Sequence, residues 1–181
     1  MTFIAPLTTT EAGPEVAATL KAVKTQIGTV PNLYATLAKA PAALNGLLRI
    51  NEVLAAGTLN ASEREIVALA VSQANTCHYC LSAHTLLGKN TGLTIEDTLK
   101  ARSAGGNTAR AAAIAAFAVA VVENRGHVAL HDLKQYEAVG LSERDLLEII
   151  ANVAATTLTN YANNVAGTEL DFPAVAVEVA A

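Results

Sequence analysis

The chain has 181 residues, 52% of them hydrophobic and 15% charged, and its 12 basic against 16 acidic residues give a net charge of −4. With no tryptophan and 4% aromatic residues, that balance excludes a basic or base-stacking nucleic-acid surface. The longest apolar run, Ala111 to Val122, is bounded by Arg110 and Glu123 and falls short of the roughly 20 residues that a membrane span needs. One domain over residues 1–181 is expected. A sequence pI near 5.5, and no signal-peptide pattern at Met1-Thr2-Phe3-Ile4, point to the cytoplasm.

Helix punctuation recurs along the chain, whereas β-branched alternation between turn signals does not, so an all-α fold is predicted. Gly13-Pro14 opens a helix to about Ile27, Asn32 begins a short one stopped before Pro41, and Pro41 to Ala56 forms a third. Asn60 or Ser62 caps a fourth, to about Ala74. Cys77 to Lys89 makes a fifth with Thr76 as its expected N-cap, and Thr94 starts a short sixth that ends before Gly105-Gly106. Asn107 opens an Ala-rich seventh, read as a buried core helix. His131 to Ala138 is short, Ser142 caps a last long helix to about Val165, and a tail containing Asp171-Phe172-Pro173 follows Gly167.

Two helix starts echo each other. Ser62-Glu63-Arg64-Glu65-Ile66-Val67 is matched by Ser142-Glu143-Arg144-Asp145-Leu146-Leu147, as an internal pseudo-repeat or as two capping boxes of the Ser-x-x-acid kind. Under the second reading Glu65 folds back on its own helix start. If Asn60 is the cap, Glu63 takes that task and Glu65 lies on the flank of the buried face, where a carboxylate needs a partner.

Cys77 and Cys80 are the only two cysteines, and with His84 they stand at i, i+3 and i+7 of one predicted helix. Both sulfurs and the imidazole therefore share a face. Thiol chemistry requires a group that takes the proton, because the thiolate is the nucleophile, and a second sulfur that resolves the oxidised product. The position of Cys77 in the first helical turn is expected to favour its anion. The pair is expected to form a reversible disulfide. As a structural staple, so short a loop would stabilise by only about 2 kcal/mol. Zinc held by Cys77, Cys80, His84 and either Glu65 or His78 is the competing reading, but CxxC in an intracellular chain without a second Cys pair favours redox chemistry. No metal or cofactor is assigned. His78 is expected to be a solvated surface residue, as are His127 and His131. Asn160, Asn163 and Asn164 are expected to satisfy buried backbone groups or an oligomer contact.

With Glu65 twelve positions before Cys77-His78-Tyr79-Cys80, and His84 four beyond, the chain resembles the alkyl hydroperoxidase D branch of the carboxymuconolactone decarboxylase family, and more closely the peroxidase-related proteins of that family. Val30-Pro31-Asn32, Thr159-Asn160-Tyr161 and Leu170-Asp171-Phe172-Pro173 extend the resemblance over most of the chain. It implies an AhpD-like helical bundle with an internal pseudo-repeat, assembled as a trimer or hexamer.

The activity implied by the resemblance is thiol-dependent reduction of a small hydroperoxide. Cys80 attacks the peroxide, Cys77 resolves the sulfenic acid, and Glu65 with His84 relays protons through Cys77 and a bound water. An external dithiol or a lipoyl-type reductant reopens the disulfide. The family's best-known members carry histidine where Tyr79 stands here, and a phenol with its ordinary pKa near 10 is a poorer proton acceptor that still donates a hydrogen bond. Two other functions stand beside this one. The first is an acid–base enzyme of the lactone-decarboxylase type, against which the intact dithiol counts. The second is a non-catalytic redox-sensing or metal-binding oligomer.

Overall fold

Proline fits the first turn of a helix, where its missing N–H is not needed, and two helices begin on one: α1, Pro14–Ile27, and α3, Pro41–Ala55, with the short α2, Asn32–Leu37, between them. The computed structural model describes residues 2–8 and 10–179, among which there are nine helices and no strand. The remaining six are α4, Ala61–Ala74, α5, His78–Asn90, α6, Ile95–Arg102, α7, Ala109–Glu123, α8, Leu130–Ala138, and α9, Glu143–Ala166. The all-α prediction holds. Three starts differ from expectation: Thr108, not Asn107, caps α7, because its hydroxyl accepts from Ala111 N–H, Cys77 itself caps α5, and α8 begins at Leu130, one residue before His131.

α4 is the central helix. Every residue from Ile66 to Ser72 is buried, as a helix apolar all round must be. Its small Ala70 and its Val67, Leu69 and Val71 join Ala113, Ile114, Ala115, Phe117 and Ala118 of α7 and Ile149 and Val153 of α9 in one core. None of the described helices is long and apolar enough to cross a membrane.

A second cluster sits on the other side of α4's end. Leu20 of α1, Leu33 and Leu37 of α2, and Leu44 and Leu47 of α3 surround Cys77, Tyr79 and Cys80, with Leu170 and Phe172 of the tail against them. The tail is tied down at several points. Asp171 accepts from the first N–H of α2, at Asn32 (2.7 Å), the Val175 N–H donates to Ser82 Oγ (3.3 Å), and Arg102 donates to the carbonyls of Ala176 and Val177 (2.7 and 2.8 Å). The thiols thus lie between a helical layer and a strap.

Candidate functional site

The turn from α4 to α5 sets the site. Thr76 has φ 53°, a left-handed conformation that a β-branched residue adopts only when its surroundings impose it. Those surroundings come from α9: Asn164 Nδ2 donates to the Asn75 carbonyl (3.0 Å), and Asn75 Nδ2 donates to Asn160 Oδ1 (3.0 Å). Cys77 follows as the N-cap, its Sγ accepting from the Cys80 N–H at 3.3 Å. The expected cap, Thr76, is displaced because it is spent on the turn. A sulfur then does the work that a hydroxyl or carboxamide usually does at that position.

Cys77 and Cys80 are joined in a disulfide with their Cα atoms 5.3 Å apart, and both are buried. They differ in what they face. Cys80 lines an apolar cavity of about 210 Å³ and Cys77 does not. The cavity wall includes Leu33 and Tyr34 of α2, Leu47 and Asn51 of α3, His84 of α5, and Phe172 of the tail.

Glu65 and His84 meet across the α4–α5 contact, Nδ1 of the imidazole donating to Oε2 of the carboxylate at 2.8 Å. This geometry requires Nδ1 to carry a hydrogen and leaves Nε2 as the exchangeable nitrogen. Glu65 is available because Asn60 caps α4, with Glu63 closing the box. Gly88, one turn beyond His84, packs beside Glu65 and under Leu93: a Cβ there would lie 3.1 Å from Leu93 Cδ1 and 3.7 Å from Glu65 Cβ.

Tyr79 is buried with its ring against Phe172, edge to face at 5.5 Å. Its hydroxyl accepts from the Leu33 N–H (3.3 Å) and is hydrogen-bonded to Asp171. Burial, reinforced by Asp171, pushes its pKa far up, beyond what the Leu33 bond offsets. Tyr79 is therefore a wall residue that also joins α5 to α2 and the tail, and it takes up no proton. Tyr34, on the facing wall, is likewise pushed up by burial; an Asn51 hydrogen bond opposes this and the charge of Glu65 adds to it.

His78 is exposed as expected, yet it is not simply solvated, since its Nε2 donates to the Val175 carbonyl at 2.9 Å and holds the strap. His127 and His131 are exposed. Among the described residues no group of three or more His, Cys, Asp or Glu side chains is placed to hold a metal ion. Sequence reasoning missed three contributors: Tyr34, Phe172 and Asn163, whose Nδ2 donates to Cys80 Sγ at 3.2 Å. The motif string at Leu170 to Pro173 signalled Phe172, but nothing local signalled the other two.

A family model for the carboxymuconolactone decarboxylase family matches residues 38–123, a segment that contains Glu65, Cys77, Cys80 and His84. Over this segment, a little under half of the chain, the sequence is similar to the carboxymuconolactone decarboxylase family. No curated protein sequence matches it. Among solved structures it is similar to an AhpD-core, uncharacterized peroxidase-related protein from Ralstonia eutropha JMP134, with a TM-score of 0.82, 23% identity and 93% of each chain covered. A peroxidase-related protein from Silicibacter sp. TM1040 superposes with a TM-score of 0.79, at 21% identity over 92% of each chain. The debrominase Bmp8, solved with 2,3,4-tribromopyrrole, superposes with a TM-score of 0.78, at 19% identity over 94% of this chain and 92% of that one. These likenesses establish the AhpD-like fold.

Proposed function

We propose that the protein reduces organic hydroperoxides with Cys80 as nucleophile and Cys77 as resolving thiol. The observation that carries this reading is the asymmetry of the pair: one sulfur faces an apolar cavity that His84 also lines, and the other is buried behind it within disulfide reach. In the reduced protein His84, steadied by Glu65, takes the thiol proton. The Cys80 thiolate attacks the terminal oxygen, an S–O bond forms as the O–O bond breaks, and the leaving alkoxide takes a proton from His84 to depart as the alcohol. The Cys77 thiolate then displaces hydroxide from the sulfenic acid, closing the disulfide and releasing water after protonation. An external dithiol or a lipoyl-type reductant returns two electrons, in keeping with a reducing cytoplasm.

A second reading draws on Bmp8, which shares this fold and was solved with a polyhalogenated pyrrole. The apolar cavity beside Cys80 suits such a ring equally well. There the thiolate would take a halogen from the ring, a proton would replace it on carbon, and Cys77 would expel halide as the disulfide forms. One experiment separates the two: the reduced protein is given cumene hydroperoxide or a bromopyrrole with several dithiols, and alcohol and bromide are measured against Cys80→Ser. Alcohol release that requires Cys80 supports the first reading, bromide release alone replaces it with the second, and neither product sinks both. The acid–base decarboxylase reading is disfavoured by the disulfide itself.

The protein is further proposed to act as a homo-oligomer, a trimer or hexamer, with residues 1–181 as one domain. Leu147, Ile150, Leu158, Tyr161 and Val165 are exposed at helical spacing along one side of α9, Leu147 by 68% and Val165 by 65%. An apolar stripe of that length calls for a covering surface. A stable monomer at micromolar concentration in sedimentation velocity would sink this.

A further inference from the structure

Buried carboxamides are normally bonded at both ends, and α9 shows the rule and one departure from it. Asn160, wholly buried, donates to Ser72 Oγ (3.1 Å) and accepts from Asn75. Asn164 donates to the Asn75 carbonyl. Both serve the protein's own polar groups. Asn163, three residues after Asn160 and next to the exposed Asn164, is buried like Asn160, yet its side chain has neither a backbone nor an oxygen partner: its Nδ2 donates to Cys80 Sγ at 3.2 Å, and its Oδ1 has no partner at all.

A disulfide sulfur is a weak acceptor, so in the oxidised protein this amide is poorly satisfied at both ends, at a real cost to stability. A thiolate is a strong, charged acceptor, and a hydrogen bond to it is roughly twice as strong as one between neutral groups. The placement suits the reduced, ionised state far better than the state with the disulfide closed.

We propose that Asn163 is a further catalytic residue, the donor that stabilises the Cys80 thiolate and so selects Cys80 over Cys77 as the nucleophile. The helix N-terminus does not make that selection, because the N–H at hand, that of Cys80, points at Cys77 Sγ. Among the neighbouring groups His84 takes the thiol proton, and none of them donates a hydrogen bond to Cys80 Sγ. Around the cavity the titratable side chains are His84, paired with Glu65 of α4, Tyr34 of α2, and Tyr79 of α5, which is bonded to Asp171 of the tail. Leu47 and Asn51 of α3, and Ala155, Thr156 and Thr159 of α9, bring no charge to it. Asn163 touches the sulfur directly, with an uncharged donor whose effect persists at any pH.

This inference rests on Cys80 as the attacking thiol, but its test needs no peroxide. In a Cys77→Ser background only one thiol remains, and its ionisation is followed by thiolate absorbance against pH. Removing the donor with Asn163→Ala should lower the thiolate fraction at neutral pH about tenfold, the scale of one charge-assisted hydrogen bond. Asn163→Asp, close in shape and thus able to fold where alanine fails, should lower it further because a carboxylate repels the thiolate. Asn164→Ala is the structural control: it should lower thermal stability and leave the titration where it was. Parental titrations for the folded Asn163 variants would overturn the proposal, as would an equal shift in Asn164→Ala. A full shift without peroxide turnover would remove the peroxidase reading and leave Asn163's role intact.

Discussion

α4 and α9 open on matching quartets, Ser62-Glu63-Arg64-Glu65 and Ser142-Glu143-Arg144-Asp145, yet the last acid of each has a different task. In α9 Ser142 is the cap and Asp145 closes the box, accepting from the Ser142 N–H (2.9 Å) and hydroxyl (2.7 Å), with Thr58 and Arg110 adding further bonds. In α4 the cap lies two residues upstream at Asn60, Ser62 merely donates to it (2.7 Å), and Glu63 closes the box. Glu65 is left without a capping task and reaches His84. A two-residue displacement of a cap is thus enough to turn a structural carboxylate into one available for proton transfer. Arg110 holds both boxes at once, Glu63 at 2.6 Å and Asp145 at 3.3 Å, so the helix that positions Glu65 is anchored by an ion triad that Glu65 does not join.

If the chemistry belongs to the α4–α5 side alone, the largest effect comes from its sulfurs. Cys80→Ser should reduce peroxide turnover to background and abolish sulfenic acid formation, whereas Cys77→Ser should still form a sulfenic acid on Cys80 and stall there. Dimedone labelling followed by mass spectrometry reads both. Sulfenic acid on Cys77 in the Cys80→Ser protein would mean that the cavity-facing sulfur is not the nucleophile.

Next in size is the exchange of roles between the echoed acids. Glu65→Gln should slow turnover by roughly 10²-fold, the scale of a positioned acid–base group, with melting close to that of the parent. Asp145→Asn should do the reverse, keeping turnover while losing about 1–2 kcal/mol from the box and from Arg110. Steady-state kinetics and denaturant titration on both variants decide it. A Glu65→Gln protein with parental turnover and lowered stability would return that residue to a purely structural role.

Asp145 also carries a pH signature. Burial works to raise its pKa, but the Ser142 hydroxyl and N–H, Arg110 and Thr58 outweigh burial and hold the carboxyl well below the usual range. A carboxylate depressed in the native state contributes its full stability above its unfolded-state value, about 3.9, and loses that contribution as pH falls toward the native one. The denaturation midpoint should therefore fall as pH drops below about 5. Asp145→Asn should flatten that slope, and an unchanged slope would show that the box does not control acid stability.

The same contrast marks what the sequence reveals. Helix starts are legible because caps are local: Pro14, Pro41, Thr94 and Ser142 each stand where a helix begins. The thiol–imidazole face is legible because one helix fixes i, i+3 and i+7, and Asn60 as the cap leaves Glu65 in need of a partner, though its direct bond to His84 comes from the packing of α4 on α5. Asn163 and Tyr34 are not legible, since one reaches the Cys80 sulfur and the other the cavity from another helix, through packing that no local pattern encodes. Thr76 was misread as a cap because the sulfur of Cys77 stands in for the usual oxygen. His78 is exposed as expected, but its bond to the Val175 carbonyl is not legible, because the course of the strap depends on Arg102, Gln73 and Ser82, far from the strap in the chain.

The smallest expected effect concerns Tyr79, which the resemblance puts at a position of chemistry and the structure builds into a wall. Its phenol accepts from Leu33 and is bonded to Asp171, and burial keeps it protonated. Tyr79→Phe retains the ring against Phe172 and deletes two hydrogen bonds, leaving the Leu33 N–H without its partner. Stability should drop by about 1–2 kcal/mol, and turnover should stay within a few-fold of the parent because no proton passes through the hydroxyl. The sensitive readout is the pH–rate profile: loss of a wall contact scales the rate equally at every pH, whereas loss of a proton donor displaces a limb of the curve. A displaced limb in Tyr79→Phe would move Tyr79 from the wall into the relay, and the chemistry would then extend from the Glu65–His84 pair to the strap itself.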